Sequence, residues 1–289
     1  MKEHDCLRRF LFEEYGIRGE WVKLVDSWQQ AKRHQTAAPV VEQQLGQALA
    51  AVVLLSATIK FNGSIILQAQ GNGHFRTLVA QSTHGRKIRG WVRSIEPVRS
   101  GSLEDMFGQG RLVITIEPDN SEPYQGIVPL RGNNLAAALR TYFEQSEQLS
   151  TRLWLVADES GAAGLLLQEL PAQPSGKPDR ERLELLADTL TEKELLELDC
   201  EPLLHRLFHQ EKVRLFDAEP VEFGCSCSRE KLEATLRTFS RAELEEILRE
   251  KGTVEAGCHF CNAVYRFDRT DIDIIVPPED PLSASATRH

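Results

Sequence analysis

The sequence Cys225-Ser-Cys227, followed after 30 residues by Cys258-His-Phe-Cys261, determines how the C-terminal part of this chain folds. Zn²⁺ prefers four tetrahedral ligands in proteins, and four cysteine thiolates are a common ligand set of structural sites. Each close-spaced pair can supply half of that set, and the residues between the pairs can fold back to bring them together. We therefore predict one Zn²⁺ per chain, bound by Cys225, Cys227, Cys258 and Cys261.

Four protein ligands leave no coordination position for water or substrate, so the spacing excludes a hydrolytic zinc site. The ion can then be a static structural zinc, or the thiolates can form a redox switch. Oxidants such as peroxide attack thiolates first, and zinc must leave once its ligands are oxidised. The spacing alone favours the static site. Four buried thiols without metal are a third possibility, and His259, inside the second pair, is expected outside the coordination shell.

The composition of the chain argues against nucleic acid as a partner. The 289 residues include 34 Lys and Arg against 43 Asp and Glu, a formal net charge of −9, with no long basic run to attract phosphates. No signal sequence opens the chain, and its most apolar stretch, residues 49–59, is shorter than the ~20 residues of a membrane span. We expect a cytoplasmic protein with no membrane partner. Its cysteines should be reduced there, and therefore available for metal or redox chemistry.

The segment before the cysteines is rich in Leu and Glu and predicts helices over residues 180–212. Thr191 and Glu194 have capping-box spacing, and Pro202 is expected to break the region in two. The predicted apolar stripe consists of Leu183, Leu186, Leu190, Leu195, Leu198, Leu203, Leu207 and Phe208. The simpler interpretation is a small helical subdomain. The other is a partly dispensable segment whose apolar face can be uncovered, since short helices are marginal in isolation.

The N-terminal part has many strand patterns and few helices, which predicts an α+β fold. Strands are expected over residues 64–70, 75–80, 88–96, 111–117, 124–130, 152–157 and 165–170. Helices are expected over residues 5–15, over 39–59 with Pro39 in the first turn, and over 133–149 with Asn133 or Asn134 as the cap.

Breaker residues in Pro171-Ala-Gln-Pro-Ser-Gly-Lys-Pro178 mark the best domain boundary. We predict an N-terminal mixed α/β-sheet domain over residues 1–172, followed by the helical region. A small four-cysteine zinc domain over 225–289 completes the chain. This last domain is expected to contain helices over residues 229–237 and 241–250, the second capped by Ser240, and a frayed tail over 282–289.

Other motifs do not support an enzyme. His205 and His209 share a helix face, but Arg206 stands where the metalloprotease motif requires Glu, so they are expected to be surface or core histidines. Two glycine turns, at residues 71–73 and 108–110, lack a nucleotide-binding fingerprint. Cys6 and Cys200 are unpaired in the sequence and are expected to be small buried thiols.

With these residues in view, the chain resembles the redox-regulated 33-kDa heat-shock chaperones, also called 33-kDa chaperonins, over essentially its whole length. The most specific match is the cysteine region, Val221-Glu-Phe-Gly-Cys-Ser-Cys-Ser-Arg-Glu230 with Gly257-Cys-His-Phe-Cys261. Supporting stretches are Arg9-Phe-Leu-Phe12, Arg18-Gly-Glu20, Tyr124-Gln-Gly-Ile-Val128, Tyr142-Phe-Glu-Gln-Ser-Glu-Gln148 and Gly164-Leu-Leu-Leu-Gln168.

The resemblance implies an ATP-independent holdase that is inactive when reduced and zinc-bound. Oxidation would form the disulfides Cys225–Cys227 and Cys258–Cys261, release zinc and unfold the zinc domain. That unfolding would destabilise the segment before it, a metastable helical linker that corresponds to residues 173–224. The family also implies dimerisation on activation, unfolding proteins as clients, and transfer of those clients to ATP-driven foldases once thiol reductants return. The zinc argument agrees with this, because zinc can supply about 10–16 kcal/mol of apparent binding energy in small zinc peptides.

Two functions of other classes remain as alternatives at this stage. One is a binding module with a permanent zinc knuckle that contacts RNA or a ribosomal partner, which the negative charge disfavours. The other is a disulfide oxidoreductase that uses Cys258 and Cys261, which the missing thioredoxin-like βαβ pattern disfavours.

Overall fold

A computed structural model describes residues 3–35, 37–59, 62–170 and 176–277 of the chain. Most of the predicted boundary at 171–178, and the predicted tail at 282–289, lie outside these residues. The chain divides into two compact units, the first ending at Gly224 and the second starting at Cys225.

The first unit contains most of the regular structure. Its strands are β1 (Cys6–Phe12), β2 (Ile17–Leu24), β3 (Gly63–Gln70), β4 (Phe75–Thr83), β5 (Lys87–Ser94), β6 (Arg111–Pro118), β7 (Tyr124–Pro129), β8 (Thr151–Ala157), β9 (Ala162–Glu169), β10 (Arg214–Pro220) and β11 (Glu222–Phe223). Its α-helices are α1 (Asp26–Lys32), α2 (Pro39–Thr58), α3 (Leu103–Phe107), α4 (Leu135–Tyr142), α5 (Lys177–Ala187), α6 (Glu192–Glu197) and α7 (Cys200–Phe208). Among the described residues this is an α+β arrangement, as predicted.

Helix α2 is the centre of the first unit. It is apolar nearly all round, so it can be stable only where every face is covered. It packs on strands of both large sheets, and Leu45, Leu49 and Val53 are fully buried in the shared core. The helix is long and apolar enough to cross a membrane, but 78% of its apolar window is buried inside the protein. The predicted core helix over residues 39–59 is confirmed.

Two sheets lie on either side of α2. The first sheet has the strand order β10-β1-β2-β9-β8, and the second has the order β11-β5-β4-β3-β6-β7. Neighbouring strands are antiparallel throughout, except that the two-residue strand β11 pairs parallel to β5. The seven strands predicted between residues 64 and 170 are present as β3 to β9.

The predicted helix over residues 5–15 is wrong, because this segment contains strand β1. The first sheet is buried on both faces, so apolar side chains point alternately to two cores. Leu7 joins the core around α2, whereas Phe10 and Phe12 join the cluster on the opposite face. The register of β1 with β2 is continuous, so Leu7 and Leu11 lie on one face of the strand and Phe10 on the other, and their 7–10–11 spacing only resembles that of a helix. Gly19 of β2 is required here, since an added Cβ would lie 2.0 Å from the Phe10 ring.

The second face of the first sheet is covered by α5, α6 and α7. Their apolar residues Leu183, Leu203 and Leu207 are buried against sheet residues such as Trp21 and Leu165. The capping box of Thr191 and Glu194 is confirmed at the start of α6. The region is interrupted at Leu198 and Asp199, just before Pro202, which lies in the first turn of α7, where a missing backbone N–H removes no helical hydrogen bond.

The predicted linker is helical only in its first part. After α7 the chain forms β10 and β11, so the helical prediction for residues 214–223 is wrong. Both strands depend on partners far away in sequence, β1 and β5, and local pattern contains no signal for such pairing.

The second unit is small. It contains α8 (Arg229–Leu236), α9 (Arg241–Lys251), β12 (Val254–Gly257), β13 (Val264–Phe267) and α10 (Arg269–Ile275). The two predicted helices are present, and Ser240 caps α9 with a capping box to Glu243. Its buried apolar cluster is Leu236, Leu244, Leu248, Val254, Phe267, Ile272 and Ile275.

Candidate metal centre

The first cysteine pair lies on an extended segment that ends at a helix cap. Ser228 Oγ accepts a hydrogen bond from the Lys231 backbone N–H at 3.4 Å and thereby starts α8. Cys225 and Cys227 are two residues apart on this segment. Both are half-buried.

The second pair occupies the turn between β12 and β13. The Asn262 N–H donates to the Cys258 carbonyl at 2.8 Å, and the Cys258 N–H donates to the Ala263 carbonyl at 2.9 Å. Asn262 has a left-handed backbone, φ 54°, which asparagine tolerates better than most residues. This tight turn brings the thiols of Cys258 and Cys261 to the same side.

The four sulfur atoms meet in one cluster. All lie within 4.8 Å of one another, and the shortest separations, Cys225–Cys258 at 3.5 Å and Cys227–Cys261 at 3.4 Å, join the two pairs. Sulfurs around a tetrahedral zinc are roughly 3.8 Å apart, given Zn–S distances of about 2.3 Å. The arrangement therefore fits a four-thiolate metal site, and the chain has a four-cysteine group that could hold a metal ion.

The thiols differ in their protonation. Burial raises the pKa of Cys225 and raises that of Cys261 to about 12. Burial also acts to raise the pKa of Cys227, but hydrogen bonds with the Tyr265 hydroxyl and the neighbouring thiols outweigh it and lower the pKa to about 7. A bound cation deprotonates coordinating thiols outright. The cluster thus already favours one thiolate before any metal binds.

Tyr265 is a site residue that sequence reasoning missed. Its hydroxyl lies 3.5 Å from Cys227 Sγ, and this hydrogen bond is the main reason that the Tyr265 pKa rises to about 12. The pairing of β13 with β12 brings the tyrosine to the cluster, and no local motif announces it.

The remaining candidates do not belong to the cluster. His259 is exposed, and the metal-binding group does not include it. Cys6 of β1 and Cys200 of α7 are free thiols buried in the apolar cluster between the first sheet and the linker helices, as expected, and burial raises the pKa of both. His205 and His209 are exposed on α7 with ring centroids 6.1 Å apart. Within the described parts of the chain, no second group of three or more His, Cys, Asp or Glu ligands could hold a metal.

Comparison with known proteins gives a consistent result. A profile of the family described as "Hsp33 protein" matches residues 5–268. A 33 kDa chaperonin of Nitrosococcus oceani is 53% identical over 289 residues, 100% of both chains. A 33 kDa chaperonin of Shewanella sp. strain ANA-3 is 48% identical over 272 residues, 94% of this chain and 95% of the relative.

The fold comparison agrees. The crystal structure of the 33 kDa chaperonin from Thermotoga maritima superposes with a TM-score of 0.81 at 23% identity, covering 94% of this chain and 98% of that one.

Proposed function

Because this chain belongs to the Hsp33 family of chaperones, we propose that it is a redox-regulated, ATP-independent holdase for proteins that unfold under oxidative stress. In this proposal the reduced, metal-bound chain is inactive. Oxidation of the cysteine cluster releases the metal and activates the chain. The observation that carries the proposal is the position of the predicted linker, whose helices cover an apolar sheet face.

Zn²⁺ is the ion that we assign to the cluster. Four cysteine sulfurs in near-tetrahedral separation suit zinc, and such a set leaves no position for substrate. Cys225, Cys227, Cys258 and Cys261 would each supply one thiolate. The bound ion would contribute folding free energy to the second unit rather than chemistry on a substrate.

The proposed switch is thiol oxidation. Two thiolates give two electrons to one peroxide molecule, which takes up two protons and leaves as two water molecules, and the sulfurs form a disulfide. The family resemblance assigns the pairs Cys225–Cys227 and Cys258–Cys261. Their sulfurs lie within 4.8 Å, so small movements suffice for these bonds. A ring closed by Cys-Ser-Cys is small and should be readily reduced again.

Metal loss should unfold the second unit. Its buried apolar cluster has only seven described residues, too few to hold a domain of this size without a covalent or metal staple. Cys225 follows directly on Gly224, the last residue of the first unit, so the disordered chain would begin where β11 ends.

Detachment of the linker would then create the client-binding surface. Helices α5 to α7 cover the sheet residues Phe10, Phe12, Ile17, Trp21, Leu165 and Leu167. These helices are short, and their buried apolar residues pack against the sheet, so they should be marginal once they detach from it. Removing them would expose a contiguous apolar face, which is the kind of surface that binds unfolded chains.

The partners follow from the same proposal. Clients are unfolding proteins, the active form is a homodimer, and ATP-driven foldases and thiol reductants act after it. The place of action is the cytoplasm, with no membrane or nucleic-acid partner. The net charge of −9 would help an opened form to stay dissolved.

One experiment tests this proposal. Zinc-loaded chain is treated with peroxide at elevated temperature while zinc release, free thiols and aggregation of an unfolding client are measured. We expect zinc loss and suppression of aggregation to rise together, and both to reverse with a reductant. Cys6→Ser, a change outside the cluster, should behave as the unchanged chain does. If zinc is retained, or if it is released without suppression of client aggregation, the result would favour a binding module with a static structural zinc site.

A further inference from the structure

The last part of the predicted linker joins both sheets of the first unit. Strand β10 extends the first sheet by pairing with β1, and three residues later Phe223 of β11 pairs with β5 of the second sheet. Between them Val221 is buried, and its N–H donates to the Asp5 carbonyl at 2.7 Å. The segment thus fastens one sheet to the other immediately before the cysteine cluster.

Strand β10 has little apolar burial of its own. It is an edge strand, all of its residues are exposed or half-buried, and a register shift opposite Arg9 interrupts its ladder with β1. Edge strands with solvated hydrogen bonds open at low cost in free energy. Something besides backbone pairing must therefore hold β10 in place. Arg8 donates two hydrogen bonds to the Phe216 carbonyl, and Arg214 forms an ion pair with Glu13, but both contacts stay within the first sheet and its turn.

Glu219 supplies the contact that reaches the second sheet as well. Its carboxylate forms ion pairs with Arg9 Nη2 at 2.7 Å and with Arg86 Nη2 at 3.0 Å. Arg9 belongs to β1, whereas Arg86 belongs to the turn between β4 and β5 of the second sheet. One side chain of the linker therefore pairs with both sheets.

The Arg86 side of this contact is buried. The Arg86 side chain is only 8% exposed, and its Nη1 donates to Ser56 Oγ of α2 at 3.0 Å. Its backbone is left-handed, φ 58°, which is uncommon for a residue with a side chain. The Arg86 carbonyl also accepts from the Glu222 N–H at 3.1 Å, so this residue contacts the linker twice. A buried guanidinium that loses its carboxylate is strongly unfavourable.

We propose that Glu219 is the anchor that holds strand β10 on the first unit, and that weakening this anchor releases the linker without prior oxidation or metal loss. The anchor is the set Glu219, Arg9 and Arg86. The consequence for chaperone activity rests on the proposed function, whereas the consequence for β10 does not.

The test uses the full-length, reduced, zinc-loaded chain and hydrogen–deuterium exchange of peptides over residues 214–220. Glu219→Gln keeps the shape of the side chain and removes its charge, and we expect these amides to exchange at least ~10-fold faster. Asp217→Asn is the matched control. It makes the same change on the same strand, at an exposed residue for which the described structure has no ion pair.

A second variant guards against loss of the fold. Arg9 is 50% exposed, and Arg9→Gln breaks only one of the two ion pairs, so it should increase exchange in the same direction by less. Amides of α2 should stay protected in every variant. Unchanged exchange over residues 214–220 in Glu219→Gln, or an equal increase in Asp217→Asn, would overturn the anchor.

Chaperone assays separate this inference from the proposed function. We expect reduced Glu219→Gln to suppress client aggregation with zinc still bound, while reduced Asp217→Asn does not. Reduced Glu219→Gln could instead exchange faster without suppressing aggregation, while its oxidised form is active. This result would overturn the regulatory role of the anchor and leave the proposed function intact. An oxidised unchanged chain without suppression would refute the proposed function, and exchange would still decide the anchor.

Discussion

The two units of this chain are stabilised in different ways. The first has two sheets around one buried helix, with dozens of side chains shielded from water on both faces of the first sheet. The second has seven described buried apolar residues and four clustered thiols. A unit of the first kind keeps its fold through the hydrophobic effect, whereas we expect one of the second kind to depend on a bound metal. One chain can therefore lose one unit and keep the other.

Removal of a metal ligand should have the largest effect on this contrast. Cys258→Ser deletes one of four thiolates, and because bound zinc supplies about 10–16 kcal/mol in small zinc peptides, the second unit should be unfolded even when reduced. Cys6→Ser makes the same change in the first unit and should leave the second unit folded. Amide NMR spectra check both; dispersed signals from residues 225–277 in Cys258→Ser would contradict the prediction.

Matched core truncations should sharpen the contrast. Leu49→Ala in α2 should lower the free energy of unfolding of the first unit by about 2–5 kcal/mol and leave zinc affinity unchanged. Leu244→Ala in the second unit should instead weaken zinc binding, since folding and binding are coupled there. Competition with a chelator measures affinity, and denaturant titration measures stability. Equal zinc affinities in the two variants would argue against that coupling.

A buried carboxyl makes the first unit sensitive to pH. Burial raises the pKa of Glu20 on β2 to about 7, although Arg18, Arg9 and Arg86 act to lower it. Between pH 4.5 and 7 Glu20 is ionised in the unfolded chain but keeps its proton in the folded chain. As the pH rises through this range, Glu20 therefore lowers the free energy of unfolding by roughly 3 kcal/mol, and its contribution does not change above pH 7.

Glu20→Gln should remove this loss. The variant and the unchanged chain should therefore differ more in unfolding free energy at pH 8 than at pH 4.5, with the variant gaining. Denaturant titrations at both values check this. A difference independent of pH would show that Glu20 does not titrate in this range.

The smallest expected effect concerns a helix cap in the second unit. Ser240 Oγ accepts from the Glu243 N–H and starts α9. Ser240→Ala should cost about 1 kcal/mol. Because the unit's fold and its metal are coupled, zinc affinity should fall severalfold, whereas Thr191→Ala, which removes the equivalent cap of α6, should not change it. Chelator competition on both variants decides.

Local chemistry explains which features could be predicted from the sequence. The caps Ser240 and Thr191 act within three residues, and the helix that starts at Pro39 is one continuous apolar segment, so local patterns were sufficient for both. The two cysteine pairs are 30 residues apart, but each pair is itself a local pattern with a recognisable spacing. Strands β1 and β10 pair with each other across about 200 residues, and β11 pairs with the distant β5; all three lie in segments that were predicted to be helical.

The polar contacts could not be predicted for the same reason, because they join residues that are far apart in the sequence. Tyr265 reaches Cys227 through the pairing of β13 with β12, and Glu219 meets Arg86 across 133 residues. Burial of Arg86 follows from the position of α2 between the sheets, which no local pattern encodes.

Hydrogen–deuterium exchange on the oxidised, zinc-free chain tests the central claim most directly. We expect residues 225–277 to lose protection entirely, helices α5 to α7 to become much less protected, and α2 with β3 to β6 to exchange as in the reduced, zinc-bound chain. The contrary result is a zinc-free sample that suppresses aggregation although the amides of α5 to α7 remain as protected as before. It would contradict the claim that chaperone activity arises when these helices uncover the sheet.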